Sequence, residues 1–331
     1  MRVLVTGASG LLGREVARLL VRQGHAVATF QRRPSGVDGA EDFCGSVTDD
    51  QALGRAIAGA KGIIHLAAKV SFTGRAAEFD EVNVEGTRRL LNAARAAGVR
   101  DLVFVSSPSV ANSGAAIAGL GAEPADPEHA HGDYSRTKAK AELLALAADD
   151  PGFRVAAVRP HIVWGPGDTQ LVERVLARAG RGRLPLLDAG AALIDTTYVD
   201  NAASAIVAAL HRIEHIHGRA LVVSNGEPRP VGELLAGICA AGGVTAPSWT
   251  VPGGMARAVG AVVEKVWTWA GRNEEPPMTR FLAEQLSTAH WFDQRETREL
   301  LDWTPAVSLD EGLARLAEHY GSRPLSPRPR S

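Results

Sequence analysis

Cysteine, tyrosine and lysine are scarce in this chain. Of its 331 residues, two are cysteine (Cys44 and Cys239), three are tyrosine and five are lysine. Two cysteines build neither a disulfide framework nor a four-thiolate zinc site, and as small buried hydrophobes they suit a reducing cytoplasm. Net charge is lacking too, since 36 Lys+Arg stand against 37 Asp+Glu. That balance leaves no electrostatic footprint for nucleic acid or for an anionic membrane surface. No apolar run is long enough for a membrane span: the most apolar late stretch, 251–271, is interrupted by Arg257, Glu264 and Lys265. No charged-then-apolar leader precedes the first strand at Val3, so a cytoplasmic location is expected. His211 and His215 have ligand spacing, yet no nearby carboxylate or cysteine completes a set, and no metal is expected. What is present is ordinary globular composition, 45% hydrophobic and 22% charged, with chain enough for one large or two modest domains.

Short β-branched runs alternate with helical patterns through the first 160 residues. Residues 3–6 read as a strand, 13–23 as a helix closed by Gly24, 26–30 as a second strand, 50–60 as a helix and 62–66 as a third strand. A long helix over 79–97, a fourth strand over 102–106, a helix over 134–148 and a strand over 154–158 continue the rhythm. This alternation predicts an α/β fold, a Rossmann-like doubly wound parallel sheet covered on both faces. After Pro160 the rhythm breaks, although a helix over 201–215 and a strand over 220–223 can return to the sheet. From Gly226 onward the pattern is helices punctuated by proline and glycine. The expected division is a sheet domain over 1–164 and 195–225, a smaller, mostly helical domain over 165–194 and 226–320, and a flexible tail over 321–331.

The first turn carries the clearest chemistry. Gly7, Gly10 and Gly13 fall at a three-residue spacing between a strand and a helix. Such a turn lets backbone approach a pyrophosphate and aims a helix N-terminus at it. The sheet domain is therefore expected to bind a dinucleotide. At the tip of the second strand, where an acid would hold the ribose hydroxyls of NAD, the chain has Gln31, Arg32 and Arg33. With no carboxylate to repel a 2′-phosphate and two guanidiniums to pair it, NADP(H) is favoured over NAD(H); two solvated loop arginines are the plainer reading.

Tyr134 and Lys138 are one helical turn apart, so phenol and ammonium face one cleft. A nearby ammonium would lower the phenol's pKa and tune it for proton transfer at a substrate oxygen. The fourth strand ends in Ser106, Ser107, Pro108 and Ser109, at the edge of the sheet that lines the ligand crevice. Ser107 is the first choice to hold a carbonyl oxygen, then Ser106, then Ser109.

Together these residues resemble the extended short-chain dehydrogenase/reductases, from residue 1 to about 320. That family's glycine turn is matched by Gly7, Gly10 and Gly13, its Tyr-x-x-x-Lys by Tyr134 and Lys138, and its strand-end serine by Ser107. His65-Leu66-Ala67-Ala68, Asn83 with Gly86-Thr87, Arg159-Pro160, Trp164 with Gly165-Pro166-Gly167-Asp168, and Tyr198-Val199-Asp200-Asn201 match further motifs. The resemblance implies cofactor contacts from Ser9, Leu11, Leu12, Ser46, Val47, Leu66, Ala67 and Ala68, with Pro160 shaping the nicotinamide pocket. It gives Tyr134 the proton and Ser107 the carbonyl, and it assigns the nicotinamide ribose to Lys138. Gln31 replaces the family's usual acid, and Ser46 replaces the aspartate of its Gly-Asp-Leu turn.

The C-terminal half is similar to the 3β-hydroxysteroid dehydrogenase branch, and to its bacterial reductases of long-chain 2-alkyl-3-oxoalkanoates in olefin biosynthesis. Residues 164–171, 194–201, 224–228 and 275–286 carry that likeness. It implies reduction of a hydrophobic β-keto acid, with sterol dehydrogenation or nucleotide-sugar epimerisation or dehydration as alternatives. Met255, Val259, Val262, Val263, Val266, Trp267 and Trp269 could line an alkyl tunnel or form an ordinary buried helix face. Arg280 or Arg174 could receive the carboxylate. A homodimer through two helices of the sheet domain is implied, as is assembly with neighbouring enzymes of the same pathway.

Overall fold

The computed structural model describes residues 1–71, 74–111, 114–269 and 280–321, with backbone alone for 264–269 and 280–282. Alternation in the sequence becomes alternation in space. β1 (Arg2–Thr6), α1 (Leu11–Arg22), β2 (Ala26–Gln31), β3 (Ala40–Cys44), α2 (Asp50–Ile57) and β4 (Gly62–His65) form the first half of the main sheet. α3 (Ala76–Phe79) runs through a π-helical segment, Asp80–Glu85, into α4 (Gly86–Ala96), and β5 (Asp101–Val105) follows. Then come β6 (Ile117–Leu120), α5 (Gly132–Leu146), β7 (Arg154–Pro160), β8 (Val163–Trp164), α6 (Val172–Ala179), β9 (Leu186–Leu187), β10 (Leu193–Ile194) and β11 (Thr197–Tyr198). α7 (Val199–His211), α8 (Ile213–Ile216), β12 (Ala220–Val223), β13 (Arg229–Pro230), α9 (Val231–Ala241), β14 (Thr250–Val251) and α10 (Gly253–Trp269) lead to α11 (Arg280–Ser287), β15 (His290–Phe292), α12 (Arg295–Leu301) and α13 (Leu309–Gly321).

Seven strands pair in the order β12-β7-β5-β4-β1-β2-β3, every pairing parallel. Parallel strands need both faces covered. Val3, Val5, Val103 and Val158 meet α1 and α7 on one side, while Leu4, Ile63, Leu102 and Phe104 meet α2, α4 and α5 on the other. The chain order reverses between β1 and β4, which opens a crevice at their C-terminal ends.

The structure departs from expectation in four places. The edge strand β3 has only polar and half-exposed positions, so its apolar alternation is too weak to read. The helix read over 79–97 carries one wide turn at 80–85. β6, counted with the sheet domain, pairs instead with β15 in a second sheet of order β13-β10-β15-β6. Conversely Leu301 and Trp303, counted with the smaller domain, pack into the core under α1 and α7. Domain allegiance is set by contact, which boundaries drawn along the chain miss.

Among the described residues no helix is long and apolar enough to cross a membrane. α10 buries its small residues, Gly253, Ala256 and Gly260, and exposes Met255, Val259 and Val262. Those three do not line an enclosed tunnel, because the helix packs on α11 through its glycine and alanine face. The side chains of Val266, Trp267, Trp269 and Arg280, and the tail from residue 322, lie outside the described residues.

Candidate active site

Gly7 closes β1 with a φ of +78°, a conformation glycine adopts freely. A Cβ on it would sit 2.9 Å from the Ala67 nitrogen, and a Cβ on Gly13 only 2.4 Å from the Gly7 carbonyl oxygen. The turn is thus compressed between β4 and α1 in a way that excludes side chains. Gly10 is the N-cap of α1 with no side-chain cap, so the first-turn N–H groups remain for a ligand. Ser9, Leu11, Leu12, Leu66, Ala67 and Ala68 are all half-exposed around this turn. These residues fit a dinucleotide pyrophosphate: a cradle that any Cβ would fill, fed by a positive helix end.

A chain of hydrogen bonds runs from this turn to α5. The Ala67 N–H donates to Thr6 Oγ1 at 3.0 Å, and Thr6 Oγ1 lies 2.7 Å from His65 Nδ1. His65 Nε2 lies 3.1 Å from Thr87 Oγ1, which donates to the Asn83 carbonyl at 2.7 Å. Thr87 spends its proton on Asn83, so the ring must carry its proton on Nε2 and accept at Nδ1. Burial, with the Lys138 charge second, brings the His65 pKa down to about 3 and keeps the ring neutral. Asn83, on the π-helical turn, donates to Thr137 Oγ1 at 3.0 Å, and Thr137 bonds back to the Asp133 carbonyl at 2.7 Å. The wide turn at 80–85 thereby ties α5 to the glycine turn.

Ser107, one step beyond Ser106 after β5, lies near enough to the Tyr134 side chain for its hydroxyl to favour the phenolate. Ser109 Oγ stands 3.0 Å from Ser107 Oγ, while Ser106 Oγ is buried with no partner. Of the three serines, Ser107 is the one brought to the phenol.

The predicted fall in the Tyr134 pKa is not what the structure has. Burial pushes the phenol up to about 12, against the pull of the nearby Ser107 hydroxyl. Lys138 turns elsewhere: its Nζ donates to the Val105 carbonyl at 2.7 Å and lies 4.0 Å from the centre of the Phe104 ring. Burial brings this ammonium down to about 7, while the Glu142 charge supports it. Asp133 lies inside the first turn of α5 and pairs with Arg136. The N-cap is His131.

At the strand tips, Gln31 is buried and its Nε2 donates to Thr29 Oγ1 at 3.1 Å and Asp42 Oδ1 at 3.0 Å. Asp42 also accepts from the Ser35 N–H. Burial works against its charge, but the bonds from Thr29, Ser35 and Gln31 win and hold its carboxyl below the usual range. An acid is therefore present near the ribose end, on β3 rather than β2, and it is spent on the loop. Arg32 and Arg33 are exposed, with no ion-pair partner given by any carboxylate among the described residues. Ser46 Oγ bonds Thr48 Oγ1 at 2.7 Å, and Val47 is packed so tightly on Gly86 that a Cβ there would be 2.5 Å away. Pro160 is buried at the end of β7.

Other motif residues hold the frame. Asp168 accepts from the Gln170 N–H at 2.8 Å. Asn201 accepts from the Ala306 N–H and donates to the Val307 carbonyl, pinning the last third of the chain to α7. Asp195 is buried, bonded by Ser224, and pushed up to about 6 by burial.

Comparison with known proteins agrees with this geometry. The model of the NAD dependent epimerase/dehydratase family matches residues 3–224. A 2-alkyl-3-oxoalkanoate reductase of Stenotrophomonas maltophilia is 40% identical over 324 residues, 96% of this chain and 98% of that protein. One of Shewanella oneidensis is 34% identical, covering 94% of this chain and 84% of its own. A solved short-chain dehydrogenase/reductase superfamily protein of Agrobacterium tumefaciens with bound NAD is 25% identical at TM-score 0.74, with 98% of each chain covered. A match through the whole seven-stranded sheet, with relatives this similar over nearly the full length, makes the chain a member of the NAD dependent epimerase/dehydratase family, the extended short-chain dehydrogenase/reductases, and an NAD(P)-dependent oxidoreductase of the alcohol–carbonyl pair.

Proposed function

We propose that the chain interconverts a long-chain 2-alkyl-3-oxoalkanoate and its 2-alkyl-3-hydroxy acid, with NADP(H) as cofactor, in hydrocarbon biosynthesis. The carrying observation is the nearness of the Ser107 hydroxyl to the Tyr134 side chain just beyond β5, with Lys138 one turn along α5. A nicotinamide dinucleotide bound at the glycine turn supplies or accepts the hydride. Ser107 Oγ holds the ketone oxygen, Tyr134 Oη gives that oxygen its proton, and Lys138, whose ammonium now donates to the Val105 carbonyl, holds the nicotinamide ribose. Ser9, Leu11, Leu12 and Leu66 to Ala68 would line the dinucleotide, and Pro160 would close the nicotinamide end. The substrate class draws support from the named relatives at 40% and 34% identity. Oxidation of a 2-alkyl-3-hydroxy long-chain acid, followed by nicotinamide absorbance, is expected to turn over. Turnover of a steroid or a UDP-sugar in its place would overturn the substrate class.

Exposed Arg32 and Arg33, beside an acid already engaged by Gln31 and Ser35, support the 2′-phosphate. Neutralising both as Arg32→Gln/Arg33→Gln is expected to weaken NADPH by roughly 10- to 100-fold, the worth of one or two charge-assisted bonds, and to leave NADH nearly unchanged. A wild-type preference for NADH in fluorescence titration sinks this assignment.

α4 and α5 pack side by side, and Leu143 is 44% exposed on α5. That exposed leucine supports the homodimer through these two helices, to be checked by light scattering. A monomeric mass at micromolar concentration would remove it, and a dimer should dissociate on Leu143→Glu. The cytoplasm is the proposed location, and assembly with enzymes that handle the β-hydroxy acid is the partner reading that the resemblance carries.

A further inference from the structure

A 3-oxo acid presents two groups to its enzyme, a ketone and, two bonds away, a carboxylate. Ser107 and Tyr134 answer the first. The cation for the second must stand close to them, because the two substrate groups are so near each other. Arg174 lies beside the Asp168 carboxylate, whose charge it supports.

His131 is a second candidate, on the element that carries Tyr134. It is the N-cap of α5, three residues ahead of Tyr134. Its Nδ1 lies 3.0 Å from Glu284 Oε2 on α11. Gly114, on the segment that follows Ser107, folds against the same ring: a Cβ there would lie 2.9 Å from His131 Cε1. Three elements therefore meet at this imidazole, one leading from Ser107, one leading into Tyr134, and one from the C-terminal third of the chain. The side chains are 35% exposed for His131 and 9% for Glu284, so an open ring edge is backed by a buried acid. A carboxylate can only accept, so Nδ1 carries a proton toward Glu284. The opposite nitrogen, Nε2, has no hydrogen-bond partner among the described residues.

We infer that His131 is the binding residue for the substrate's carboxylate and that Glu284 is its positioning partner. This rests on the reading of the substrate as a 3-oxo acid. In the complex the ring lies between two carboxylates, Nδ1–H donating to Glu284 and Nε2–H donating to the substrate. Glu284 also fixes the ring plane, as a carboxylate partner orients a ligating histidine. An alcohol or ketone without the acid group makes no use of the pair.

The test compares a 2-alkyl-3-hydroxy acid with its methyl ester, which keeps the alkyl chains and the reacting carbon but removes the negative charge. Wild type is expected to favour the acid by roughly 10- to 100-fold in kcat/KM, the worth of one charge-assisted hydrogen bond, and chiefly through KM. His131→Leu should bring the acid-to-ester ratio close to one, and His131→Lys, which keeps a cation, should restore it. Glu284→Gln should lower the ratio part of the way, and it carries the test if His131→Leu does not fold. An unchanged ratio in His131→Leu, or equal use of acid and ester by the wild type, overturns the inference while leaving the 3-hydroxy acid reading standing. Turnover of steroids or UDP-sugars and of neither acid nor ester would instead remove the substrate class itself, and the inference with it.

Discussion

Tyr134→Phe is expected to lower kcat by about 10²- to 10⁴-fold, the usual worth of one positioned proton donor. The substitution removes a single oxygen and keeps the ring, so packing at the start of α5 is conserved. Cofactor affinity should change little, because the glycine turn and the ends of β1 and β4 do not involve the phenol. The structure adds a pH signature. With its pKa pushed up to about 12 by burial, the phenol is protonated throughout the assay range and enters as a donor. Reduction should therefore show no fall from the phenol between pH 6 and 9, any fall there following the Lys138 ammonium at about 7, whereas oxidation, which needs the phenolate, should rise as pH climbs toward the phenol pKa. Steady-state rates in both directions across pH 6–10 would check this. Retained turnover in Tyr134→Phe removes the residue from its role.

The second large effect is on stability. Arg159 and Glu142 form an ion pair whose side chains are 2% and 1% exposed, with Nε donating to Oε2 at 2.9 Å. Arg159 Nη1 also donates to the Glu123 carbonyl at 2.7 Å. Glu142→Ala leaves a guanidinium in the protein interior with its counter-charge gone, at a cost of about 3–5 kcal/mol. Guanidinium unfolding should show the midpoint falling accordingly. Replacing both partners, as Glu142→Met/Arg159→Met, should recover much of the loss, since no unpaired charge then remains. The pair also reaches the candidate site. Glu142 is one turn beyond Lys138 and supports its charge, so its removal makes the buried ammonium harder still to keep. An unfolding midpoint unmoved by Glu142→Ala would mean that water reaches Arg159 in solution.

Much of this was legible in the sequence because the chemistry is local. Gly7, Gly10 and Gly13, or Tyr134 and Lys138, declare themselves by spacing along one turn or one helix. The parallel sheet is legible for the same reason, since each of its central strands is a continuous buried run such as 62–65. What could not be read depends on distant partners. Asp42 looks like any polar residue until β3 lies beside β2 and its carboxylate meets Gln31. Spacing put the Lys138 ammonium on the phenol's face, but a long side chain follows the nearest acceptor, and the Val105 carbonyl is that acceptor. His131 gave no signal at all, because its partner is Glu284, and only tertiary contact joins them. A histidine followed at a distance by an acid has no recognisable spacing.

The pairing of β6 with β15 has a consequence for how the protein is made. Every strand of the seven-stranded sheet lies between Arg2 and Val223, so that sheet can close while the ribosome still holds the C-terminal third. β6 cannot: its partner begins at His290, and until that residue emerges Ile117–Leu120 is an unpaired strand edge. A newborn chain can thus grip its dinucleotide before it can enclose what the dinucleotide will react with. The interval between the two events is when Ile117–Leu120 is most open to mispairing with other chains.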